Sequence, residues 1–315
     1  MKILFLSPNQ RTRWNPGHQH FRDEIGVTND VKYYGPGYRD HQLLDKLNYI
    51  PRILEYYENE MNWIPDVIMT YGLRYTIPFI GFKKVKLPKI HFICDFTPFV
   101  PNKWPGTIGT YKAMLDSHEY DLHFSLSYQV MNWFAKNDRS KCIRYLPFGV
   151  DEKVFYPKKL TKMWDVYVGW SNHDTLYPFR KPLQDELKNQ ATNGLRVLIK
   201  RVFQQGFVET MNMSNIVLNT SNIFNTMNMK TFEVMACASL LLTEYTQELE
   251  DLGYEDMIHY VSYSNITECM EKIYMLLNNP EMMQDIADEG YRLTVSQNTN
   301  AHRVSKMMEM IHETL

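Results

Sequence analysis

The sequence has few cysteines and no excess of charge of either sign. Its formal net charge is −2 over 315 residues, whereas proteins that hold nucleic acid through its phosphates usually carry a basic excess. The cysteines are widely spaced and form no CxxC pair: Cys94, Cys142, Cys237 and Cys269. We therefore expect no structural zinc site, and we expect free thiols in a reducing cytosol.

Long hydrophobic runs and glycine-rich phosphate loops are also missing. The apolar run at residues 3–6 (ILFL) is too short for a signal peptide, and no run reaches the roughly 18 apolar residues of a membrane span. These absences favour a soluble, cytoplasmic protein. No GxGxxG motif follows residues 3–6 or 166–168 (VYV), which disfavours a dinucleotide-dependent oxidoreductase.

Short apolar runs that alternate with helical stretches are present in both halves of the chain. They predict strands near residues 3–6, 31–34, 65–72, 89–95, 121–125 and 143–146, and again near 164–169, 196–199, 216–219, 240–243 and 258–261. A single helix is expected over about 41–62. Alternating strands and helices predict parallel sheets. We therefore expect an α/β protein of two Rossmann-like domains.

Polar segments follow several predicted strands, where open α/β sheets bind their ligands. The most informative is the loop at 219–229 (NTSNIFNTMNM), which runs into an apolar helix. Glu233 is expected in the first turn of that helix. One interpretation is a solvated helix start whose acid is favoured by the helix dipole. The other is a loop that holds a diphosphate through backbone N–H groups, with Glu233 accepting hydrogen bonds from a ribose.

Two motifs in the second half resemble group 1 glycosyltransferases. Residues 147–157 (PFGVDEKVFYP) look like their interdomain linker, and residues 230–237 (KTFEVMAC) resemble the start of their donor-binding helix. Residues 177–180 (YPFR), 241–244 (LLTE) and 248–252 (ELEDL) are similar to the CgeB/YkvP-like spore-protein branch. The resemblance covers about residues 145–300.

The resemblance implies a GT-B glycosyltransferase whose two parallel sheets face each other across a cleft. It implies an acceptor domain at 1–157, a nucleotide-sugar domain at 158–297, and a final helix at about 298–315 that packs on the first domain. The donor would be a nucleotide-diphosphate sugar, UDP-sugar first among them, and the transfer would be metal-independent, retaining and hexosyl. Asn225 stands where the wider family has a glutamate, so a catalytically silent nucleotide-sugar-binding protein and a nucleotide-sugar epimerase stay as alternatives.

The donor-site residues that these arguments indicate lie after strands of the second domain. They are Gly169, Arg180, Lys200, Asn225, Thr226, Met227, Asn228, Lys230, Thr231 and Glu233. Diphosphate requires cations or helix dipoles, which is the reason for including the lysines and the arginine. The alternative for each cation is an ordinary solvated position.

The first domain offers a smaller set of residues for the acceptor. Asp95 and His18 are proposed as catalytic groups, with Asp95 or His18 orienting or deprotonating the acceptor hydroxyl. Arg11, Arg13 and His91 are expected to bind the acceptor. Its identity stays open among a glycan, a polymer, a protein and a hydroxylated DNA base, and the arginines favour an acidic polymer or DNA over a neutral one. They could equally form a solvated face.

Overall fold

The computed structural model describes residues 1–9, 17–72, 79–93, 120–137, 142–172 and 176–315. Arg11, Arg13, Asp95 and Cys94 lie outside these ranges. Contacts divide the chain into two compact units. The first unit contains Met1–Pro147 together with Arg303–Leu315, and the second contains Phe148–His302.

The first unit is built on a six-stranded parallel sheet. Its elements are β1 (Lys2–Leu6), α1 (Gly17–Thr28), β2 (Asp30–Tyr34), α2 (Arg39–Leu43), α3 (Ile50–Met61), β3 (Val67–Tyr71), a 3₁₀ turn (Phe82–Lys84), β4 (Lys89–Ile93), β5 (Leu122–Ser125), α4 (Tyr128–Lys136) and β6 (Ile143–Tyr145). The strand order is β2-β1-β3-β4-β5-β6, and every neighbouring pair is parallel. Every residue of β3 and β4 is buried, as expected for central strands with both faces covered.

The single helix predicted over 41–62 is wrong, because the chain forms two helices there. Asp45 and Lys46 adopt left-handed φ angles of 49° and 58° between α2 and α3. Pro51 lies in the first turn of α3, where its missing N–H breaks no helical hydrogen bond. The apolar spacing continues across the break because Leu44 and Leu47 pack against the same core as α3.

The second unit contains a five-stranded parallel sheet. Its elements are β7 (Trp164–Val168), α5 (Arg180–Thr192), β8 (Val197–Ile199), α6 (Gln204–Asn212), β9 (Ser214–Leu218), α7 (Met229–Ala236), β10 (Leu240–Glu244), α8 (Gln247–Asp251), β11 (Val261–Tyr263), α9 (Ile266–Leu277) and α10 (Pro280–Gln297). The last helix, α11 (Asn300–Thr314), begins in the second unit and belongs to the first unit from Arg303 onward. The order is β11-β10-β9-β7-β8, all parallel. The strand predicted at 258–261 begins only at Val261, because the His259 N–H bonds the carbonyl of Glu255 in a turn.

Both faces of the second sheet carry apolar layers. Val168 and Leu218 belong to one buried cluster, and their neighbours Tyr167 and Val217 belong to another. Successive side chains of a strand point to opposite faces, so helices cover this sheet on both sides. The two Rossmann-like α/β units confirm the predicted fold class. Among the described residues, no helix combines the length and apolar composition that a membrane crossing requires.

Candidate functional site

The carboxyl ends of β7 and β9 lie side by side, with Val168 paired to Leu218. Directly after β9, the Asn219 side chain contacts the start of α7 twice. Its Nδ2 donates to Thr231 Oγ1 at 3.3 Å, and its Oδ1 accepts from Asn228 Nδ2 at 3.1 Å. These bonds fix the beginning of α7 over the end of β9, at the edge where parallel sheets bind ligands.

The N-terminus of α7 has no side-chain cap. Asn228 occupies the cap position in an extended conformation, but its side chain accepts no hydrogen bond from the helix. Its Nδ2 donates instead to Asn219 Oδ1 and, at 3.2 Å, to Thr220 O. Asn228 Oδ1 is buried and has no partner among the described residues. An uncapped first turn presents N–H groups and the positive end of the helix dipole, which together favour an anion.

The loop before α7 already uses some of its backbone donors. The Asn225 N–H bonds Asn222 O at 2.8 Å, and the Met227 N–H donates to Glu248 Oε2 at 2.8 Å. Thr226 is buried and accepts from the Asn222 side chain. The predicted phosphate donors Asn225 and Met227 therefore use their N–H groups inside the protein. Glu248, which the sequence indicated only as part of the ELEDL resemblance, shapes this loop.

Lys230 and Arg180 reach the same edge from two helices. Lys230 Nζ donates to Gly169 O at 3.1 Å. Arg180 Nε donates to Thr220 Oγ1 at 2.9 Å, and its Nη1 donates to Ser171 O at 2.8 Å. Two cations that approach adjacent strand ends produce a positive site there.

Burial lowers the pKa of both cations. Arg180 is 8% exposed, so it is not the surface arginine of the alternative interpretation, and burial lowers its pKa to about 10. Burial, and then the charge of Arg180, lower the pKa of Lys230 to about 7, while Glu233 opposes the shift. Lys200 is exposed, and its N–H bonds Val168 O at 3.1 Å. The site therefore holds two desolvated cations with a third at its margin.

Glu233 is buried, which excludes the solvated helix start. The helix begins at Met229, so Glu233 lies in its second turn and not in the first turn as predicted. It is 3% exposed, and burial raises its pKa to about 7 against the opposing charge of Lys230. Within the described part of the chain its carboxylate receives no hydrogen bond, so both oxygens are available to a ligand.

Three side chains at this edge were not among the predicted site residues. The Arg180 guanidinium carbon lies 3.3 Å from the Tyr177 ring centroid and 5.6 Å from that of Trp170. Glu244 closes β10, where burial raises its pKa while Ser221 and then Arg180 oppose the shift. The signal for Glu244 was its place at a strand end within the LLTE motif. Trp170 directly follows the predicted β7 strand.

The first unit brings His18 to a buried arginine. His18 Nδ1 lies 2.6 Å from Tyr71 Oη. Arg22, which is fully buried, donates from Nε to His18 O at 3.1 Å and from Nη1 to Ser7 Oγ at 2.7 Å and Pro8 O at 2.9 Å. Burial, and then Arg22, lower the pKa of His18 to about 4. The His18 imidazole is therefore neutral at pH 7.

His91 lies in the interior of the first sheet. It is 0% exposed in the middle of β4, and its Nδ1 lies 2.6 Å from Thr70 Oγ1. Direct contact between His91 and an acceptor therefore does not fit this conformation, since a fully buried side chain offers no surface. The other predicted acceptor residues, Arg11 and Arg13, and the predicted catalytic Asp95 lie outside the described residues. Within the described ranges, no three His, Cys, Asp or Glu side chains come together as metal ligands would.

Known proteins resemble this chain both in a part of the sequence and in the fold. Residues 180–309 match the family model described as "Glycosyl transferase-like", while no curated protein sequence matches the chain. The structure is similar to HepE from Anabaena in complex with UDP-glucose, at 13% identity and a TM-score of 0.67, with 99% of this chain and 100% of that chain covered. It is similar to sucrose-phosphate synthase from Thermosynechococcus elongatus, at 11% identity and a TM-score of 0.66, with 99% and 98% covered.

A third similar structure is a glycosyltransferase from Rickettsia africae, at 13% identity and a TM-score of 0.63, with 99% of this chain and 98% of that chain covered. At such identities the likeness establishes the fold. The chain therefore has the two-unit GT-B fold of glycosyltransferases, and its residues 180–309 match a glycosyltransferase-like family model.

Proposed function

We propose that this protein is a glycosyltransferase that moves a hexose from a nucleotide-diphosphate sugar to a hydroxyl acceptor. The observation that carries the proposal is the positive edge formed by Lys230, Arg180 and the uncapped start of α7. A diphosphate supplies anionic oxygens that can accept hydrogen bonds from these cations and from the helix start. The family match over residues 180–309 and the UDP-glucose complex of HepE support UDP-sugar as the donor.

Each donor-site residue has a separate role in the proposal. Lys230 and Arg180 neutralise the diphosphate, and Lys200 adds long-range attraction from the end of β8. Glu233 accepts hydrogen bonds from the two ribose hydroxyls. Thr231 and the loop 225–228 hold the start of α7 in place. Gly169 leaves room for the Tyr167 ring, because a Cβ there would collide with the Tyr167 hydroxyl.

Transfer breaks the bond between the anomeric carbon and the diphosphate oxygen and joins that carbon to the acceptor oxygen. The bonding electrons leave with the nucleoside diphosphate, whose charge Lys230 and Arg180 stabilise. The acceptor proton passes to a base, for which we propose the neutral His18 or Asp95. Because cations of the chain neutralise the diphosphate, we propose a metal-independent reaction. Retention of configuration, cytoplasmic location and similarity to the CgeB/YkvP-like branch are proposals that the motif resemblance supports.

A nucleotide screen tests the donor assignment. A bound ligand raises the unfolding temperature by mass action, so UDP-, GDP-, ADP- and TDP-sugars are compared by thermal shift in EDTA. We expect UDP-sugars to give the largest shift. Calorimetry in EDTA and in Mn²⁺ should give equal affinities, and binding that appears only with Mn²⁺ contradicts metal independence. UDP release with a panel of glycan, polymer, protein and hydroxylated-DNA acceptors then tests transfer.

The double substitution of Arg11 and Arg13 by Ala tests the acceptor assignment. It should lower the rate of transfer and leave the affinity for UDP nearly unchanged.

A catalytically silent nucleotide-sugar-binding protein is a second possibility that one residue favours. Asn225 replaces an acid of the wider family and has a left-handed φ of 52°, a conformation that asparagine tolerates better than glutamate. Its side chain is exposed. UDP-sugar binding without hydrolysis or transfer to any acceptor would support this second function.

A further inference from the structure

Trp170 lies close to both cations of the donor edge. It follows Gly169 at the end of β7 and is 6% exposed. Its ring centroid lies 5.7 Å from Lys230 Nζ and 5.6 Å from the Arg180 guanidinium carbon. One indole therefore contacts both groups to which we assign the diphosphate, although the sequence arguments gave it no role.

The ring offsets a repulsion that the donor edge has before ligand binds. Lys230 and Arg180 carry like charges in a desolvated place, and Arg180 contributes to the low pKa of Lys230. Cations are attracted to the face of an indole within about 6 Å of its centroid. Arg180 is held further by the Tyr177 ring at 3.3 Å. Lys230 has no second aromatic contact among the described residues, so it depends on Trp170 more than Arg180 does.

The indole N–H of Trp170 is a donor without an acceptor. Trp170 Nε1 is buried and has no hydrogen-bond partner in the part of the chain that the structure describes. A buried tryptophan normally places this group on an acceptor, and an unmade bond there is costly. A ligand oxygen at the same edge would supply the missing acceptor, and the neighbouring cations select an anionic one.

We propose that Trp170 is a donor-binding residue whose ring holds Lys230 and Arg180 side by side and whose indole N–H donates to an oxygen of the bound diphosphate. This proposal rests on the proposed function and adds a residue to its donor site. The ligand that we propose is a nucleoside diphosphate. Trp170 would recognise its diphosphate and would not contact its base or ribose.

Two substitutions separate the two contributions of Trp170. Trp170→Phe keeps an aromatic face and removes the N–H, whereas Trp170→Leu removes both. Trp164→Phe, at the opposite end of β7, is the matched control. Affinities for UDP, inorganic pyrophosphate and uridine are measured by calorimetry, and circular dichroism and thermal unfolding verify that each variant is folded.

We expect Trp170→Phe to weaken UDP and pyrophosphate binding by about 3- to 10-fold, because it loses the hydrogen bond from the indole N–H to the diphosphate. We expect Trp170→Leu to weaken binding by about 10- to 100-fold, because it also loses the aromatic face that contacts both cations. The affinity of both Trp170 variants for uridine should stay within about twofold of wild type. The control Trp164→Phe should bind all three ligands within about twofold of wild type. If Trp170 had a purely structural role, its substitution would lower the affinities for UDP, pyrophosphate and uridine by similar factors.

The outcomes distinguish this inference from the proposed function. If Trp170→Phe and Trp170→Leu remain folded and bind UDP and pyrophosphate like wild type, Trp170 is no donor contact and the proposed function still stands. Equal losses for uridine and pyrophosphate would also overturn the inference, because diphosphate recognition would not be the cause. If the wild-type protein binds neither pyrophosphate nor any nucleoside diphosphate, the inference and the proposed function fall together.

Discussion

A cation lies at the carboxyl edge of each sheet, and the two cations are held differently. Arg22 in the first unit is fully buried, and Lys230 in the second unit is partly buried. Arg22 in the first unit donates to three oxygens of its own chain, from His18, Ser7 and Pro8. Lys230 in the second unit donates to one carbonyl, that of Gly169. Arg22 Nη2 is buried and has no hydrogen-bond partner among the described residues, so both cations keep donor capacity. The difference is that Arg22 makes three bonds to its own strand end, whereas Lys230 makes one.

The titratable groups beside these cations differ in the same way. His18 in the first unit is neutral at pH 7, because burial and Arg22 lower its pKa to about 4. In the second unit, burial raises the pKa of Glu233 to about 7 and lowers that of Lys230 to about 7. Groups poised near neutral pH mark functional sites. In the function that we propose, the second edge is the one that binds the charged diphosphate, and the first is the one that takes the proton of the acceptor hydroxyl.

Replacing His18 tests the first half of this comparison and should have the largest effect. We expect His18→Ala to lower the transfer rate by about 100-fold or more, because general bases contribute on the order of 10²–10⁴. UDP affinity should stay within about twofold, since His18 lies in α1 of the first unit, outside the proposed donor site. Steady-state kinetics and calorimetry measure the two quantities, with the exposed His312→Ala as the control. A loss of UDP affinity equal to the loss of rate would break the comparison.

Replacing Glu233 tests the second edge. Hydrogen bonds to a charged group contribute about 1.5–3 kcal/mol each, and 1.4 kcal/mol is about tenfold. Glu233→Ala should therefore weaken UDP binding by roughly 10- to 100-fold, with Glu233→Gln intermediate. A nucleotide without ribose hydroxyls should bind wild type and Glu233→Ala almost equally.

The exposed Glu271→Ala on α9 is the matched control for Glu233→Ala. It should bind UDP like wild type. If Glu233→Ala stays folded and binds UDP as tightly as this control, Glu233 is not the ribose ligand, and the donor site has to be reassigned.

Much of this fold was predictable because parallel strands leave a strong local signal. Strands such as β3 and β9 are short apolar runs followed by polar loops, and a buried strand needs little else to be recognised. The helix break between α2 and α3 was not predictable from periodicity, since Leu44 and Leu47 contact the same core as α3. Pro51 was the available signal for the break.

The candidate site was predictable only in part, because its contacts join residues far apart in sequence. The sequence motifs and the ends of the predicted strands identified Lys230, Arg180 and Glu233. Nothing local indicates that Lys230 bonds Gly169 O or that Trp170 lies beside both cations, since these contacts depend on the β7–β9 pairing.

The pH dependence of UDP binding sharpens the account of the second edge. Binding requires Lys230 protonated and Glu233 ionised, and each has a pKa near 7. Affinity should therefore fall by about 3- to 10-fold on each side of neutral pH. Lys230→Arg, which stays protonated, should remove the alkaline decline. Glu233→Gln should reduce the acid decline, and the part that remains comes from protonation of the terminal phosphate of UDP, whose pKa is about 6. Calorimetry from pH 5 to 9 measures the profiles, and a flat wild-type profile contradicts the assignment of both groups.

The thermal stability of Glu233→Gln should show the smallest effect and report the burial directly. The folded pKa of Glu233, about 7, is above its ordinary value of 4.5, so the folded state binds the extra proton between these pH values. The stability associated with that proton is fully present below pH 4.5 and is lost as pH rises through 7. Glu233→Gln removes the buried charge and should raise the unfolding temperature by about 2–4 °C at pH 8, with no gain near pH 4. Glu268→Gln is a control of opposite sign, because hydrogen bonds from Ser264 lower the pKa of Glu268 to about 2. It should lower the unfolding temperature at pH 8.

An equal change in the unfolding temperature of Glu233→Gln at pH 4 and at pH 8 would contradict this account. It would mean that packing, and not the buried charge, sets the stability at this position.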